Sequence, residues 1–184
     1  KTVRIVVPQA PGGASDALAR IIGQRLSERW QQPVVVENRA GAGGVIGTDT
    51  VAKSAADGYT LLLAYDGTHA VNASLYKTLP FDPLKDFAAV ATLANVPFVL
   101  AVNAASGAKD IKDFIERAKA SPGKLTYGSA GNGSVNHLLG AMFGKSAGVQ
   151  LVHVPYKGAA PAITDLLGGS IDSVFTSIPS VVSH

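Results

Sequence analysis

Short apolar runs alternate with longer amphipathic stretches along this chain, and Gly-rich or Pro-containing segments separate them. In the first half, this pattern predicts three strands with helices between them. The predicted strands are Val3–Pro8, Val34–Glu37 and Thr60–Tyr65. Strands that alternate with helices favour parallel βαβ units.

The first predicted helix begins at Ser15-Asp16, and its apolar residues recur every four positions. We expect that spacing to form one buried face. The residues of this face are Leu18, Ile22, Leu26 and Trp30. A second helix is predicted from Val45 to Ala56, and a turn at residues 66–70 leads into a short helical piece.

The second half repeats this rhythm. Its predicted helices begin at Asp110, at Ser134 and near Ala160. Its predicted strands are Leu125–Gly128, Leu151–Val154 and Ile171–Thr176. Two further strands, Val90–Leu93 and Pro97–Val102, are predicted at the end of the first lobe. The small residues at 103–107 predict a crossing between two lobes, which would comprise residues 1–102 and 103–184.

Composition narrows the possible classes of protein. Hydrophobic residues make up 47% of the 184 residues and charged residues 16%, which favours a packed core over disorder. There is no cysteine, so disulfides, thiolate metal sites and Cys nucleophiles are excluded. The net charge of +3 is scattered along the chain, whereas nucleic-acid binding needs a concentrated basic face. No apolar run reaches the length of a membrane span.

The two ends of the chain also carry expectations. The sequence enters its first strand directly after Lys1-Thr2, as a processed protein would. It stops soon after the last predicted strand, without an element that returns to the first lobe. We therefore expect the chain to be part of a longer protein.

Three loops share one design, in which a strand leads through a Gly-containing turn into a helix. They are Gly12–Asp16, Ser129–Ser134 and Tyr156–Ala160. Glycine lets the backbone approach a ligand, and the unpaired N–H groups of a helix N-terminus favour an anion. Ligands of open α/β sheets bind where such loops lie. The alternative is ordinary turns in which Ser or Asp residues only cap the helices.

The segment Gly41–Gly47 has a different interpretation. It resembles a dinucleotide fingerprint, but Ile46 stands where the last glycine of G-x-G-x-x-G is needed. We interpret the segment as close packing of backbone.

Catalytic and metal-binding patterns are weak. Ser129 lacks the glycine two residues earlier that a nucleophile elbow has, and the four histidines do not have metal-ligand spacing. His137 falls one turn into a predicted helix, where it either reaches a ligand or is structural. We expect His153, in a predicted strand, to be structural. Asp172 either pairs with Lys157 or is a surface charge.

Several segments, taken in order, carry a family resemblance across the whole chain. They are Val6–Pro8, Pro11–Arg20, Val36–Gly44, Ala55–Leu62, Tyr127–Ser134, Val154–Gly158 and Asp165–Gly169. Together they resemble the Bug (TctC-like) receptors of tripartite tricarboxylate transporters. Gln9 departs from the family pattern just before the first glycines.

The resemblance implies an α/β fold of the periplasmic binding protein type II-like class, with two lobes around a ligand cleft. It implies a small carboxylate as ligand, the membrane subunits of the transporter as partners, and a periplasmic location. It implies neither catalysis nor a cofactor or metal. Direct insertion into a membrane is not expected.

The resemblance also predicts which residues bind the ligand. The first loop is expected to contact one end through backbone groups, the loop Ser129–Ser134 to grip a carboxylate, and the turn at Thr68 to lie on the cleft wall. The predicted ligand-binding residues are Gly12, Gly13, Ala14, Asp16, Thr68, His69, Ser129, Gly131, Asn132, Gly133, Ser134, His137, Lys157 and Gly158.

Two alternatives stay open at this point. One is an α/β enzyme, a hydrolase or transferase, acting on a small anionic substrate. The other is a ligand-sensing subunit of a signalling system. The identity of the carboxylate cannot be read from backbone loops, since amide N–H groups recognise the carboxylate and not the rest of the molecule.

Overall fold

The computed structural model describes all 184 residues and divides them into two compact units. Unit 1 is Lys1–Asn95 and unit 2 is Val96–His184. The boundary predicted after Val102 lies later in the chain than this division. The difference arises because Phe98–Val102 forms a strand that pairs along its length with another strand of unit 2.

Three parallel strands form the sheet of unit 1. They are β1 (Val3–Val7), β2 (Val34–Asn38) and β3 (Thr60–Leu62), in the order β2-β1-β3. Val6 of the central strand lies opposite Glu37 on one side and Leu62 on the other. The parallel βαβ arrangement predicted for this half is therefore confirmed.

The helices of unit 1 lie between and after these strands. They are α1 (Ala14–Trp30), α2 (Val45–Ala52) and α3 (Asn72–Leu75). A 3-10 turn at Ala42–Gly44 precedes α2, and a π-helical turn at Gly67–Val71 precedes α3.

Helix α1 packs on the sheet through a different line of residues from the predicted one. Ala19 and Gly23 are buried, and a Cβ on Gly23 would stand 3.3 Å from Cγ2 of Val36. Trp30, expected on the buried face, is 45% exposed. Small side chains let the helix approach the sheet closely, so the larger residues at 18, 22 and 26 lie beside the contact and are only half-buried.

Two predicted elements of unit 1 differ in the structure. Helix α2 ends at Ala52 and not at Ala56, since the Ser54 amide and hydroxyl fold back onto carbonyls of the last turn. The strand predicted at 90–93 is absent. Val90 is 85% exposed, and a short apolar run without a partner strand gains no ladder hydrogen bonds.

Unit 2 has a four-stranded sheet in the order β4-β7-β5-β6. Its strands are β4 (Phe98–Val102), β5 (Thr126–Ser129), β6 (Val152–Pro155) and β7 (Ser173–Ser177). Strand β4 is antiparallel to β7, while β5 is parallel to both its neighbours. The three strands predicted for the second half and the strand predicted at Pro97–Val102 are present with small shifts of their ends.

Three of the four helices of unit 2 begin where the sequence predicts, whereas the last one, after β7, was not predicted. They are α4 (Ile111–Ala120), α5 (Val135–Ala147), α6 (Ala159–Leu167) and α7 (Ile178–Val181). Asp110 and Ser134 each cap a helix by accepting a hydrogen bond from the amide three residues later. No helix in the structure combines the length and apolar character that a membrane crossing requires.

The two faces of the unit 2 sheet are packed differently. One face carries an aliphatic cluster of Ala162, Leu166, Ile171 and Val174. On the other face, the rings of Tyr127, Phe143 and Phe175 contact one another under α5. The aromatic face leads directly to the loop that follows β5.

Candidate functional site

The loop between β5 and α5 is built by hydrogen bonds among its own residues. The Gly131 amide donates to Ser129 Oγ at 3.1 Å, and Ser134 Oγ donates to the Gly131 carbonyl at 2.7 Å. Gly131 and Gly133 have φ values of 125° and 78°, a region that side-chain-bearing residues rarely adopt. The two glycines therefore permit a loop that its two serines hold in shape.

The start of α5 leaves amide donors available for an anion. Ser134 Oγ accepts from the His137 amide at 3.3 Å. The amides of Asn132, Val135 and Asn136 make no hydrogen bond within the chain. Such donors, together with the positive end of the helix dipole, attract a carboxylate.

Two histidines stack behind this loop. The rings of His137 and His153 lie 3.9 Å apart at an angle of 12°, and Tyr127 stacks on His153 at 5.0 Å. His137 Nδ1 accepts a hydrogen bond from the Gly133 amide at 3.1 Å, while His153 Nε2 lies 2.6 Å from Ser129 Oγ. Burial lowers the pKa of both imidazoles, and the neighbouring His137 helps to bring the pKa of His153 to about 4.

The contact of His153 with Ser129 of the loop was not predicted from the sequence, which indicated only a structural histidine. The strand register pairs it with Tyr127, and Ser129 lies two residues further along β5, on the same face. If β5 and β6 are neighbours, strand alternation by itself predicts that the His153 side chain lies on the same face as Ser129.

The Ser129–His153 contact lacks the features of a nucleophile and its base. No carboxylate hydrogen-bonds to His153, and a pKa of about 4 makes the ring a weak base at neutral pH. Ser129 is 1% exposed and its oxygen already accepts from the Gly131 amide. The pair supports the loop and is not arranged for acyl transfer.

The loop between β6 and α6 presents one exposed cation. Tyr156 OH donates to Asp165 at 2.6 Å, and burial together with this carboxylate raises the pKa of Tyr156 to about 12. The pairing considered between Lys157 and Asp172 is absent, because Asp172 accepts from the Thr126 amide and hydroxyl at 2.7 and 2.8 Å. Lys157 is exposed, next to the backbone of Gly158 at the start of α6.

The first loop of unit 1 is tied down by a buried carboxylate. Asp16 is 6% exposed and accepts from the Gly12 amide, from Arg20 Nε and from Asn38 Nδ2, each at 3.0 Å. Burial acts to raise the pKa of Asp16, but these hydrogen bonds outweigh it and the pKa is lowered. Asp16 thus holds the loop at Gly12, and its partners all come from the protein.

The segment Gly41–Gly47 is close packing, as interpreted from the sequence. A Cβ on Gly47 would stand 2.7 Å from Cα of Pro8 and from the carbonyl oxygen of Arg39. A Cβ on Gly44 would stand 2.8 Å from the Tyr65 hydroxyl. The glycines let this segment lie directly against the end of β1.

The side chain of Thr68 forms hydrogen bonds within the turn that follows β3. Thr68 is fully buried, its hydroxyl donates to the Tyr65 carbonyl at 2.8 Å, and the Tyr65 amide donates back to it at 3.2 Å. His69 is half-buried and meets the ring of Phe87 edge-on at 4.9 Å. Thr68 therefore shapes the turn, while His69 keeps some exposed surface.

Exposure separates the predicted ligand residues into two groups. Those with accessible surface are Gly12, Ala14, His69, Asn132, His137 and Lys157. Those that are buried and support their loops are Gly13, Asp16, Thr68, Ser129, Gly131, Gly133, Ser134 and Gly158. No group of three or more His, Asp or Glu side chains is placed to hold a metal ion.

Comparison with protein families identifies one match. Residues 18–184 match the model of the tripartite tricarboxylate transporter family receptor, TctC. The protein BugT of Bordetella pertussis is 42% identical over the whole of this chain and 57% of its own length. A UPF0065 protein from the tcbD-tcbE intergenic region of a Pseudomonas species is 45% identical over 95% of this chain and 52% of its own length. The chain thus spans about half the length of the curated relatives it matches.

Solved structures are similar across almost all of the chain. A structure described as a periplasmic transporter shares 48% identity with a TM-score of 0.97, and the match covers 99% of this chain and 61% of that one. Rpa4515 of R. palustris, solved with adipate, shares 40% identity with a TM-score of 0.95 over 97% and 60% of the two chains. MatC of Rhodopseudomonas palustris, solved with bound malate, shares 34% identity with a TM-score of 0.92 over 99% and 62%.

Proposed function

This chain belongs to the tripartite tricarboxylate transporter receptor family, and on that premise we propose that the whole protein captures a small carboxylate in the periplasm and delivers it to the membrane subunits of a tripartite transporter. Family members are periplasmic binding receptors and not enzymes. Two similar proteins hold the dicarboxylates adipate and malate.

The loop Ser129–Ser134 carries the proposal. It presents the free amides of Asn132 and Val135 at the N-terminus of a 13-residue helix, and an oxyanion can accept from both. A carboxylate bound there would replace its hydrogen bonds to water with hydrogen bonds to these amides. The loop holds the amides in place, so they need not rearrange when the ligand binds.

The remaining predicted residues fall into two groups in this proposal, those exposed to a ligand and those that hold the loops in shape. Asn132, His137 and Lys157 have accessible surface in unit 2, and Gly12, Ala14 and His69 have it in unit 1. The buried members, among them Asp16, Thr68 and Ser129, act by fixing the loops. We propose dicarboxylates as the first ligands to test.

A thermal-shift screen of mono-, di- and tricarboxylates tests the proposal. A ligand at about 100 times its Kd stabilises the folded state by about 2.7 kcal/mol, which raises Tm by several degrees. Adipamide is the matched control for adipate, because it keeps the length and loses both charges. If no carboxylate raises Tm more than its amide, the carboxylate proposal is wrong.

A test with Ser129→Ala separates this function from the enzymatic alternative. A binding receptor turns over no ester or amide substrate, so both the wild-type protein and the variant should be inactive. Hydrolysis by the wild-type protein that disappears in the variant would favour the enzyme.

A further inference from the structure

The stacked pair His137 and His153 contacts the carboxylate loop at both of its ends. His153 Nε2 meets Ser129, where β5 ends, and His137 Nδ1 meets Gly133, just before α5 begins. The two residues come from different elements, α5 and β6. Their ring contact at 3.9 Å therefore joins the two ends of the loop through side chains.

The hydrogen bond from the Gly133 amide fixes which nitrogen carries the proton in the neutral His137 ring. His137 Nδ1 accepts from the Gly133 amide, so its proton is on Nε2. The Ser129 hydroxyl can donate to the Gly131 carbonyl at 3.2 Å or to His153 Nε2 at 2.6 Å. Both neutral tautomers of His153 therefore satisfy its contact with Ser129.

We propose that this histidine pair is a positioning clamp that shapes the loop for the carboxylate only while His137 is neutral, so that acid opens the loop and weakens ligand binding. The proposal deepens the proposed function by naming a regulation of the same site. A proton on His137 Nδ1 would remove the acceptor of the Gly133 amide. The two N–H groups would then face each other and repel.

No opposite charge offsets such a proton. Strand β5 contributes Tyr127, which stacks on His153, and β7 contributes no titratable residue. No Asp, Glu, Lys or Arg is hydrogen-bonded or ion-paired to either ring, and the only charged neighbour that affects either titration is the partner histidine. Two imidazolium rings at 3.9 Å would repel each other.

Amide side chains provide non-titrating substitutes. The side-chain oxygen of Asn stands close to the position of His Nδ1, so His137→Asn keeps an acceptor for the Gly133 amide. The side-chain end of Gln reaches the position of His Nε2, so His153→Gln keeps a hydrogen-bonding group for Ser129. His137→Ala and His153→Ala remove both the hydrogen-bonding group and the ring stacking. His184→Asn, at an exposed position, is the matched control.

Ring-nitrogen and amide NMR of the ligand-free, nitrogen-15-labelled protein tests the clamp directly. We expect the Nε2–H form of His137 at pH 7.5. The amide signals of Gly131 and Gly133 should shift together with ring protonation as the pH falls below 6.5. A His137 protonated on Nδ1, or a Gly133 amide that does not follow the ring, overturns the proposal whether or not any ligand binds.

Adipate binding at pH 7.5 and pH 5 provides the second arm. At pH 7.5 the two alanine variants should bind more than tenfold more weakly than the wild-type protein, while His137→Asn and His153→Gln should each bind more tightly than the corresponding alanine variant. The His137→Asn/His153→Gln double variant should lose less affinity on acidification than the wild-type and His184→Asn proteins. Protonation of adipate is common to all three proteins, so the difference in affinity loss reports the histidine pair. Equal losses of affinity in these proteins would overturn the proposed regulation by pH. If adipate does not bind the wild-type protein, the proposed ligand class is in question and the NMR arm alone decides the clamp.

Discussion

Gly140 of α5 lies directly against the ring of Tyr127 in β5, so closely that a Cβ at position 140 would overlap the ring atoms Cε2 and Cδ2. The Tyr127 hydroxyl also donates to the His137 carbonyl at 3.3 Å. The ring cannot easily give way, because His153 stacks on it and Phe175 meets it edge-on. The position of α5, and of the loop before it, therefore depends on a glycine inside a helix.

Gly140→Ala should destabilise the protein, although alanine favours a helix. Overpacking of a core costs about 1–3 kcal/mol, which exceeds the gain in helix propensity of about 1 kcal/mol. Urea denaturation should show the loss, and displacement of Tyr127 should weaken carboxylate binding. Lys145→Ala, on the exposed side of the same helix, is the control and should change neither. A Gly140→Ala protein as stable as the wild type would contradict the packing argument.

Ser134→Ala and Asp110→Ala form a matched pair, since each removes the cap of one helix in unit 2. Each should lower the free energy of unfolding by about 1 kcal/mol. Only Ser134→Ala should also weaken carboxylate binding, because Ser134 in addition holds the Gly131 carbonyl. Chemical denaturation and calorimetric titration with adipate measure the two effects. The prediction is wrong if both variants bind equally well.

Asp16→Asn should loosen the first loop of unit 1. The variant loses the charge that meets Arg20 and an acceptor for the Gly12 amide or Asn38. We expect a loss of about 1–3 kcal/mol, since one partner of a buried hydrogen-bonded group is removed. Glu28→Gln, which breaks the exposed pair with Arg25, should cost less than about 0.5 kcal/mol. Hydrogen exchange at the Gly12 amide should rise in the first variant alone.

The depressed pKa of His153 predicts a dependence of stability on pH. Burial, and then the nearby His137, lowers the pKa to about 4, compared with 6.5 for an unperturbed histidine. The unfolded chain takes up the proton first, so the free energy of unfolding is highest above pH 6.5 and falls as the pH drops towards 4, by at most about 1.4 kcal/mol per pH unit.

Urea denaturation of the wild-type protein and His153→Gln at pH 7.5, 6 and 5 checks this dependence. The stability of the variant should fall less over this range. The lowered pKa of Asp16 places its titration below the usual value of 3.8, outside the window, so the difference belongs to the histidine. Parallel slopes in the two proteins would contradict the prediction.

The sequence by itself determined the order of most elements. Regular alternation of apolar runs with amphipathic stretches is a local property, and Asp110 and Ser134 mark their helix starts within a few residues. The parallel pairing of β1 with β2 and β3 follows from this alternation, because a helix returns the chain in the same direction. The glycines of the loop after β5 were recognisable for the same local reason.

Tertiary structure decided which side chains meet. The buried line of α1 runs through Ala19 and Gly23, since close approach to the sheet favours small residues over large ones. Val90–Leu93 has the composition of a strand but no partner. His153 joins Ser129 across two neighbouring strands, a contact between residues 24 positions apart that depends on sheet order and register. Hydrophobic periodicity specifies a face for each element, whereas the partner of that face is set by packing against the rest of the chain.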